Sequence, residues 1–266
     1  MTATPARRLP VPPAAGLAAA LGALFLVLPL VALAWRAPWS SLLDELAHRD
    51  VREALRLSVV SSVAATALSA ALGIPLAWVL ARAEFVGRRL LGALATLPLI
   101  LPPVVGGVVL LLALGRRGLV GQWLDRGFGV RLPFTTAGAV VAETFMAMPF
   151  MVLAAEAGFR GADRRLEDAA RTLGARPWTV FRRVTLPLVW PSLAAGALLC
   201  WARALGEFGA TIAFAGNFPG RTQTMPLKVY LLLESRPDAA LALSVVLLVA
   251  SLAVLVGLRD RWLGSR

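Results

Sequence analysis

Apolar residues in this chain come in long blocks, and short charged punctuations separate the blocks. Six blocks stand out: Ala14–Trp35, about Leu55–Leu80, about Leu90–Gly115, about Ala137–Phe159, about Leu188–Gly216 and about Ala239–Leu258. A hydrocarbon core about 30 Å thick is crossed by roughly 20 apolar residues in a helix, whereas a helix of a soluble domain carries a polar face. The pattern predicts an all-α integral membrane fold with about six transmembrane helices. "GIP" at Gly73–Pro75 predicts a bend in the second span. The third holds Pro98, Pro102, Pro103, Gly106 and Gly107. Proline deletes a helix hydrogen bond, and in lipid the freed carbonyls need protein or water. That span is therefore predicted to be kinked, and to pack inside the bundle or line a cavity.

The connections divide the chain into residues 1–50 (first helix and external linker), a transmembrane core over 51–258, and a cytoplasmic tail over 259–266. The first block, with Arg7 and Arg8 before it and "ALA" at Ala32–Ala34, has the look of a signal peptide. Its length and the spans that follow favour an uncleaved helix. "APWSSLLDELAHRDVREAL" reads as the linker with a short amphipathic helix. The glycine-punctuated Arg116–Thr136 segment reads as a loop, with Thr135 or Thr136 capping the next helix.

Composition agrees: 58% of the 266 residues are hydrophobic, and mean hydropathy is +0.75. The net charge of +12 does not imply nucleic acid, because the arginines cluster at block ends, where the positive-inside rule wants them. That clustering predicts cytoplasmic termini. Arg116 and Arg117, with Arg126 and Arg131, fall on the outer side instead, where they would steer an anion toward an outer mouth. Cys200 lies alone inside an apolar block, and His48 is the only histidine. Neither a disulfide, nor a metal site, nor a membrane-enzyme constellation can be built from these. Arg203 and Glu207 lie four apart inside the fifth block. Charges there are costly and face the bundle interior or water. The pair reads equally as a gate on a translocation path or as a brace, with Gly206, Gly209 and Thr211 permitting close helix approach.

One compact charged stretch interrupts the oil: "LEDAARTLGARPWTVFRRVTLP", Leu166–Pro187. Leu166, Ala169, Ala170 and Leu173 fall at i, i+3, i+4 and i+7, which predicts a helix over Arg164–Leu173. Gly174 is placed to end it and Pro177 to open a second, carrying Trp178, Phe181 and Val184. Two short helices at an angle make a knob that another protein's groove can receive.

This stretch resembles the coupling loop of ABC importer permeases, E-A-A-x3-G-x9-I-x-L-P. Asp168, Ala169, Ala170, Gly174, Val184, Leu186 and Pro187 reproduce its spacing, with Asp168 for the glutamate, Val184 for the isoleucine, and Glu167 beside the motif acid. "RALGEFGATIAFAGNFPGRTQTMP" and "LPLILPPVVGGVVLLLALGRRG" resemble the molybdate branch of that family. The resemblance implies a type I importer permease fold with a cytoplasmic two-helix coupling loop at about 160–187. Glu167, Asp168, Ala169, Ala170, Leu173, Gly174, Phe181, Leu186 and Pro187 would meet the ATPase; Arg203, Glu207, Gly209 and Thr211 would lie on the path or gate. It further implies a bacterial or archaeal cytoplasmic membrane, a second permease chain as homodimer partner, a cytoplasmic ATPase dimer holding ATP and Mg, and an external oxyanion-binding protein. The chain itself has no phosphate loop and is expected to bind no cofactor. Molybdate or tungstate is the expected cargo. A sulfate or thiosulfate permease is the near alternative, and a proton-coupled carrier using Glu143 and Glu156 the remote one.

Overall fold

Long apolar blocks became long helices. The computed structural model describes residues 13–263, without the side chains of 13, 254, 255 and 257–263. Arg7, Arg8 and Arg266, and the side chains of Arg259, Asp260 and Arg261, lie outside the described residues. In chain order come α1 (Pro13–Arg36), α2 (Leu42–Ala47), α3 (Arg49–Arg82) and α4 (Arg88–Thr96), the last running into a tight 3-10 turn at Leu97–Leu99. Then follow α5 (Pro103–Leu114), α6 (Gly121–Phe128), α7 (Thr136–Gly161), α8 (Arg164–Thr172) and α9 (Pro177–Val180). A wide π turn at Phe181–Thr185 leads into α10 (Leu186–Leu205), followed by α11 (Gly209–Ala215), α12 (Met225–Ser235) and α13 (Pro237–Leu263). Among the described residues, every regular element is helical.

Among the described residues, four helical stretches are long and apolar enough to cross a membrane: α1, α3, α7, and the rod from Pro177 to Leu205. The third block behaves differently from a single kinked span. Its two arms, Arg88–Leu99 and Pro103–Leu114, are folded on each other by 119°, because Pro98, Pro102 and Pro103 remove three amide donors within six residues. The described apolar part of α13, Pro237–Ala253, is shorter than the other spans. The predicted bend at Gly73–Pro75 does not interrupt α3, which runs continuously through Pro75. The segment read as a loop after Arg116 contains α6, closed by Gly129 in the left-handed region. Thr135, not Thr136, caps α7 by accepting from the Gly138 amide at 3.0 Å.

The bundle centres on α7, which packs against α3 and α10, while α11 packs on α5. Small residues make these contacts. A Cβ on Gly158 would meet Ser192 at 2.6 Å, and one on Gly196 would meet Ala154 at 2.8 Å. In lipid no hydrophobic force distinguishes helix from solvent, so close backbone approach through Gly and Ala is what draws helices together. A Cβ on Gly107 would lie 2.5 Å from Ala213 Cβ and 2.8 Å from the Ala210 carbonyl oxygen.

Gly107→Val is therefore expected to pry α11 from α5 at a cost of about 1–3 kcal/mol. The check is thermal unfolding of the purified chain in detergent, with Gly127→Ala as control, since nothing lies within 4 Å of a Cβ there. Equal melting of Gly107→Val and wild type would remove that close approach as a stabilising contact.

Candidate functional site

The charged stretch is built onto the end of the bundle by one acid. Asp163 opens α8 by accepting from the Arg165 amide at 2.9 Å. Glu167 then turns inward: its Oε1 accepts from Arg82 Nη2 at 2.8 Å and from Thr185 Oγ1 at 3.0 Å. Arg82 ends α3 and Thr185 ends the π turn, so one carboxylate joins three elements. The neighbouring Asp168 faces out, and among the described residues its carboxylate meets only Arg171, at 3.4 Å. Sequence reasoning left the two acids unresolved and missed Arg82 and Thr185 altogether. The available signal was an arginine closing one apolar block and an acid in the next charged segment.

Beyond α8 the chain reverses at Gly174, whose φ of +82° is a region that L side chains resist. A Cβ there would meet nothing within 4 Å, so conformation and not space demands glycine. Trp178 stacks on Phe181 with ring centroids 5.7 Å apart. The second helix of the predicted knob is not separate, because Pro177–Leu205 forms one rod of 29 residues. The wide turn within it directly precedes Pro187, which has no N–H and whose ring crowds the carbonyl four residues back. The periodic apolar positions Leu166 and Leu173 are exposed, Leu173 to 88%. Ala169 is exposed, Ala170 is half-buried, Phe181 and Leu186 are half-buried, and Pro187 is exposed. Leu166, Leu173 and Trp178 thus form an apolar outer surface around a polar anchor.

Arg203 and Glu207 do pair, Nη1 to Oε2, though not on one helical face. α10 ends at Leu205, so Glu207 lies beyond its last turn. Glu207 is 1% exposed, and its Oε1 also accepts from the Ala210 amide at 2.7 Å, satisfying a donor in the first turn of α11. Gly209 makes the predicted close approach, with Pro103 Cβ 2.7 Å from a would-be Cβ. Gly206 does not: it is exposed, and its nearest neighbour would be the Ala202 carbonyl oxygen at 3.6 Å. Thr211 is fully buried, and its hydroxyl has no hydrogen-bond partner among the described residues. The structure adds Glu143 of α7 to this interior. It is buried and accepts from Ser61 Oγ at 2.8 Å.

At the far end, Arg116 and Arg131 both hold Asp125 of α6, at 3.0 and 2.7 Å. The hydrogen bond from Arg131, more than that from Arg116, holds the Asp125 carboxyl below its ordinary value. Arg116 is therefore partly neutralised, whereas Arg117 makes no ion pair among the described residues. Both line a shallow cavity of about 450 Å³ with Gln122, Asp125 and Arg126.

Residues 73–266 match the family described as binding-protein-dependent transport system inner membrane component. The chain is 46% identical over 245 residues to the molybdenum transport system permease protein ModB of Mycobacterium tuberculosis, covering 92% of each. A more distant relative, the sulfate transport system permease protein CysT of Escherichia coli, is 36% identical over 87% of this chain and 85% of its own. Among solved structures, a bacterial ABC transporter involved in the import of the acidic polysaccharide alginate superposes with a TM-score of 0.69. That match has 19% identity and covers 94% of this chain and 95% of the other.

The two adjacent acids should respond oppositely to removal. Glu167→Ala strands a largely buried guanidinium, a loss on the order of 3–5 kcal/mol for a buried pair. Asp168→Ala gives up an exposed contact worth about 0–1 kcal/mol. Hydrogen exchange of the α8 amides reads the difference: protection should collapse in Glu167→Ala and persist in Asp168→Ala. Equal protection in both would show that the Arg82 contact does not hold α8.

Proposed function

The chain belongs to the binding-protein-dependent transport system inner membrane components, and from that premise we propose that it is the permease of an ATP-driven importer carrying molybdate or tungstate. It is a transport subunit and not an enzyme; ATP is hydrolysed on a separate subunit. Greater identity to the molybdenum permease than to the sulfate permease supports the cargo. In this reading a cytoplasmic pair of ATPases, carrying ATP and Mg, docks on Leu166, Leu173 and Trp178, and a second copy of the chain completes the path. An external binding protein delivers the oxyanion. The coupling end and both termini face the cytoplasm, consistent with Arg82, Arg88, Arg89 and the arginines of α8 gathered at that end.

The observation that carries the mechanism is continuity. Trp178 at the docking surface and Arg203 at the interior charge pair belong to one rod, roughly 35–40 Å apart by helical rise. No loop intervenes to absorb a push. The clasp of Glu167 on Arg82 carries the same displacement to α3, so ATPase movement reaches two of the three central helices. α11 hangs from the far end of the rod through Glu207 and the Ala210 amide, where a shift of the rod would open or close the path. A dianion needs donors and weak positive potential there without a deep well, because tight binding slows release. The Arg203–Glu207 pair, nearly neutral, meets that requirement.

Two measurements test this. With Cys200→Ala as background, Gly161→Cys should react with impermeant thiol reagents from the cytoplasmic side only, and Gly127→Cys from outside only. Reversed labelling would overturn the orientation and the docking assignment together. For the path, Arg203→Ala should lower oxyanion uptake roughly tenfold or more, since it leaves Glu207 buried and unpaired. Adding Glu207→Gln, which keeps an acceptor for the Ala210 amide, should restore much of it. Arg117→Ala, an exposed charge screened over about 8 Å, should cost less than about twofold. Normal uptake by Arg203→Ala would reduce the pair to a dispensable brace.

A further inference from the structure

One cavity lies apart from both the interior charge pair and the Arg116–Arg117 end. It measures about 870 Å³ and opens at the turn between α3 and α4, against the last turns of α7. Arg88, Arg89 and Arg160 line it, with Glu84 and Glu156. Glu156 takes Nε and Nη2 of Arg160, four residues on in the same helix, and the remaining Nη1 of Arg160 makes no hydrogen bond among the described residues. Arg88 and Arg89 make no ion pair among the described residues, which leaves two guanidiniums facing one uncommitted carboxylate, Glu84. The cavity lies at the coupling end of the bundle, since Arg82 at the end of α3 is bonded to Glu167.

Its lip is apolar and uncovered. Val86 is fully exposed, Phe85 partly so, and Leu90 and Leu94 of α4 are more than half exposed. The opposite side of α4 is turned in: Ala95 is buried, and Leu91 packs on the cluster of Leu80, Val152 and Phe159. α4 is thus an amphipathic helix whose outer apolar side continues directly from a basic cavity, at the level where the long spans end. A headgroup phosphate beside guanidiniums with acyl chains along leucines satisfies both halves, and basic pockets between spans are a recurrent form of lipid recognition. A soluble anion would cover the arginines and leave the leucines bare.

We propose that this cavity seats the headgroup of an anionic phospholipid, held by Arg88, Arg89 and Arg160, with its tails along Leu90 and Leu94. The site is independent of the cargo assignment. It places a lipid contact on α4 and on the last turns of α7, immediately before the docking stretch. Occupancy would therefore steady the helices that carry the coupling end.

The test uses the full chain with its ATPase in nanodiscs containing equal phosphatidylglycerol and phosphatidylcholine, extracted and weighed by native mass spectrometry. Wild type should retain phosphatidylglycerol over phosphatidylcholine by roughly tenfold, and Arg88→Gln with Arg89→Gln should fall to within about twofold of parity. Arg171→Gln, an exposed arginine at the same end but outside the cavity, should behave as wild type. If the double variant does not extract as folded protein, Arg160→Gln alone should lower the enrichment severalfold. Undiminished enrichment in the double variant, or in Arg160→Gln, overturns the proposal. So does displacement of the lipid by millimolar inorganic phosphate or molybdate, which would make this a free-anion site. Enrichment seen only without the ATPase would mark the cavity as a subunit contact, and overturns it equally.

Discussion

A single carboxylate, Glu167, decides how the charged end of this protein is attached to its membrane bundle. Arg82 and Glu167 are about one-tenth exposed, so water screens their attraction poorly and also contributes little to solvating them. Such a pair stabilises only where further hydrogen bonds satisfy the remaining lone pairs. Thr185 supplies a second bond to the same carboxylate, from the wide turn near the start of the long rod. Removing the clasp would free α8 from both α3 and the rod. Its apolar outer surface would then have no fixed direction.

Within the bundle, polar groups act differently. Three serines of α3 each reach a different helix. Ser58 accepts from the Met225 amide of α12 at 2.6 Å, Ser61 donates to Glu143 of α7 at 2.8 Å, and Ser62 accepts from the Trp201 indole of α10 at 3.0 Å. Away from water, each hydroxyl must find a protein partner or remain unsatisfied. The serines thereby fix the rotation of α3, which Gly and Ala packing alone would leave loosely specified. The same logic explains the breaks. Where α10 stops, Glu207 satisfies an amide of α11 that helix termination exposed, so a charged residue and an interrupted helix occur together.

These two regimes meet in the rod from Pro177 to Leu205. Its first turns stand in the polar clasp, its middle is packed by glycine and alanine, and its end holds the Arg203–Glu207 pair. In the proposed reading, a continuous element running from the exposed Trp178 to a buried charge pair is what alternating access requires. Arg116 and Arg131, which flank α6, are by contrast partly neutralised by Asp125, so their attraction for an anion is mild.

Much of this was legible along the chain. Block lengths established the bilayer as solvent, because about 20 uninterrupted apolar residues have no other stable home. Gly174 and Pro177 announced a stop and a start through backbone chemistry that operates within one or two residues, and Arg203 with Glu207 announced a buried pair. Tertiary structure alone decided the rest. Whether Glu167 or Asp168 turns inward depends on the rotation of α8 relative to Arg82, a partner 85 residues away. The proline cluster of the third block predicted a kink but not a fold of 119°, an angle that depends on how α5 closes on α11 through Gly107. α6 was hidden because its glycines read as loop, although Gly121 is buried against the carbonyls of Leu114 and Gly115. Hydrophobicity and local propensity act over a few residues. Helix phase, bend angle and partner choice are settled by packing between segments distant in sequence, and that is why they emerged only in the folded chain.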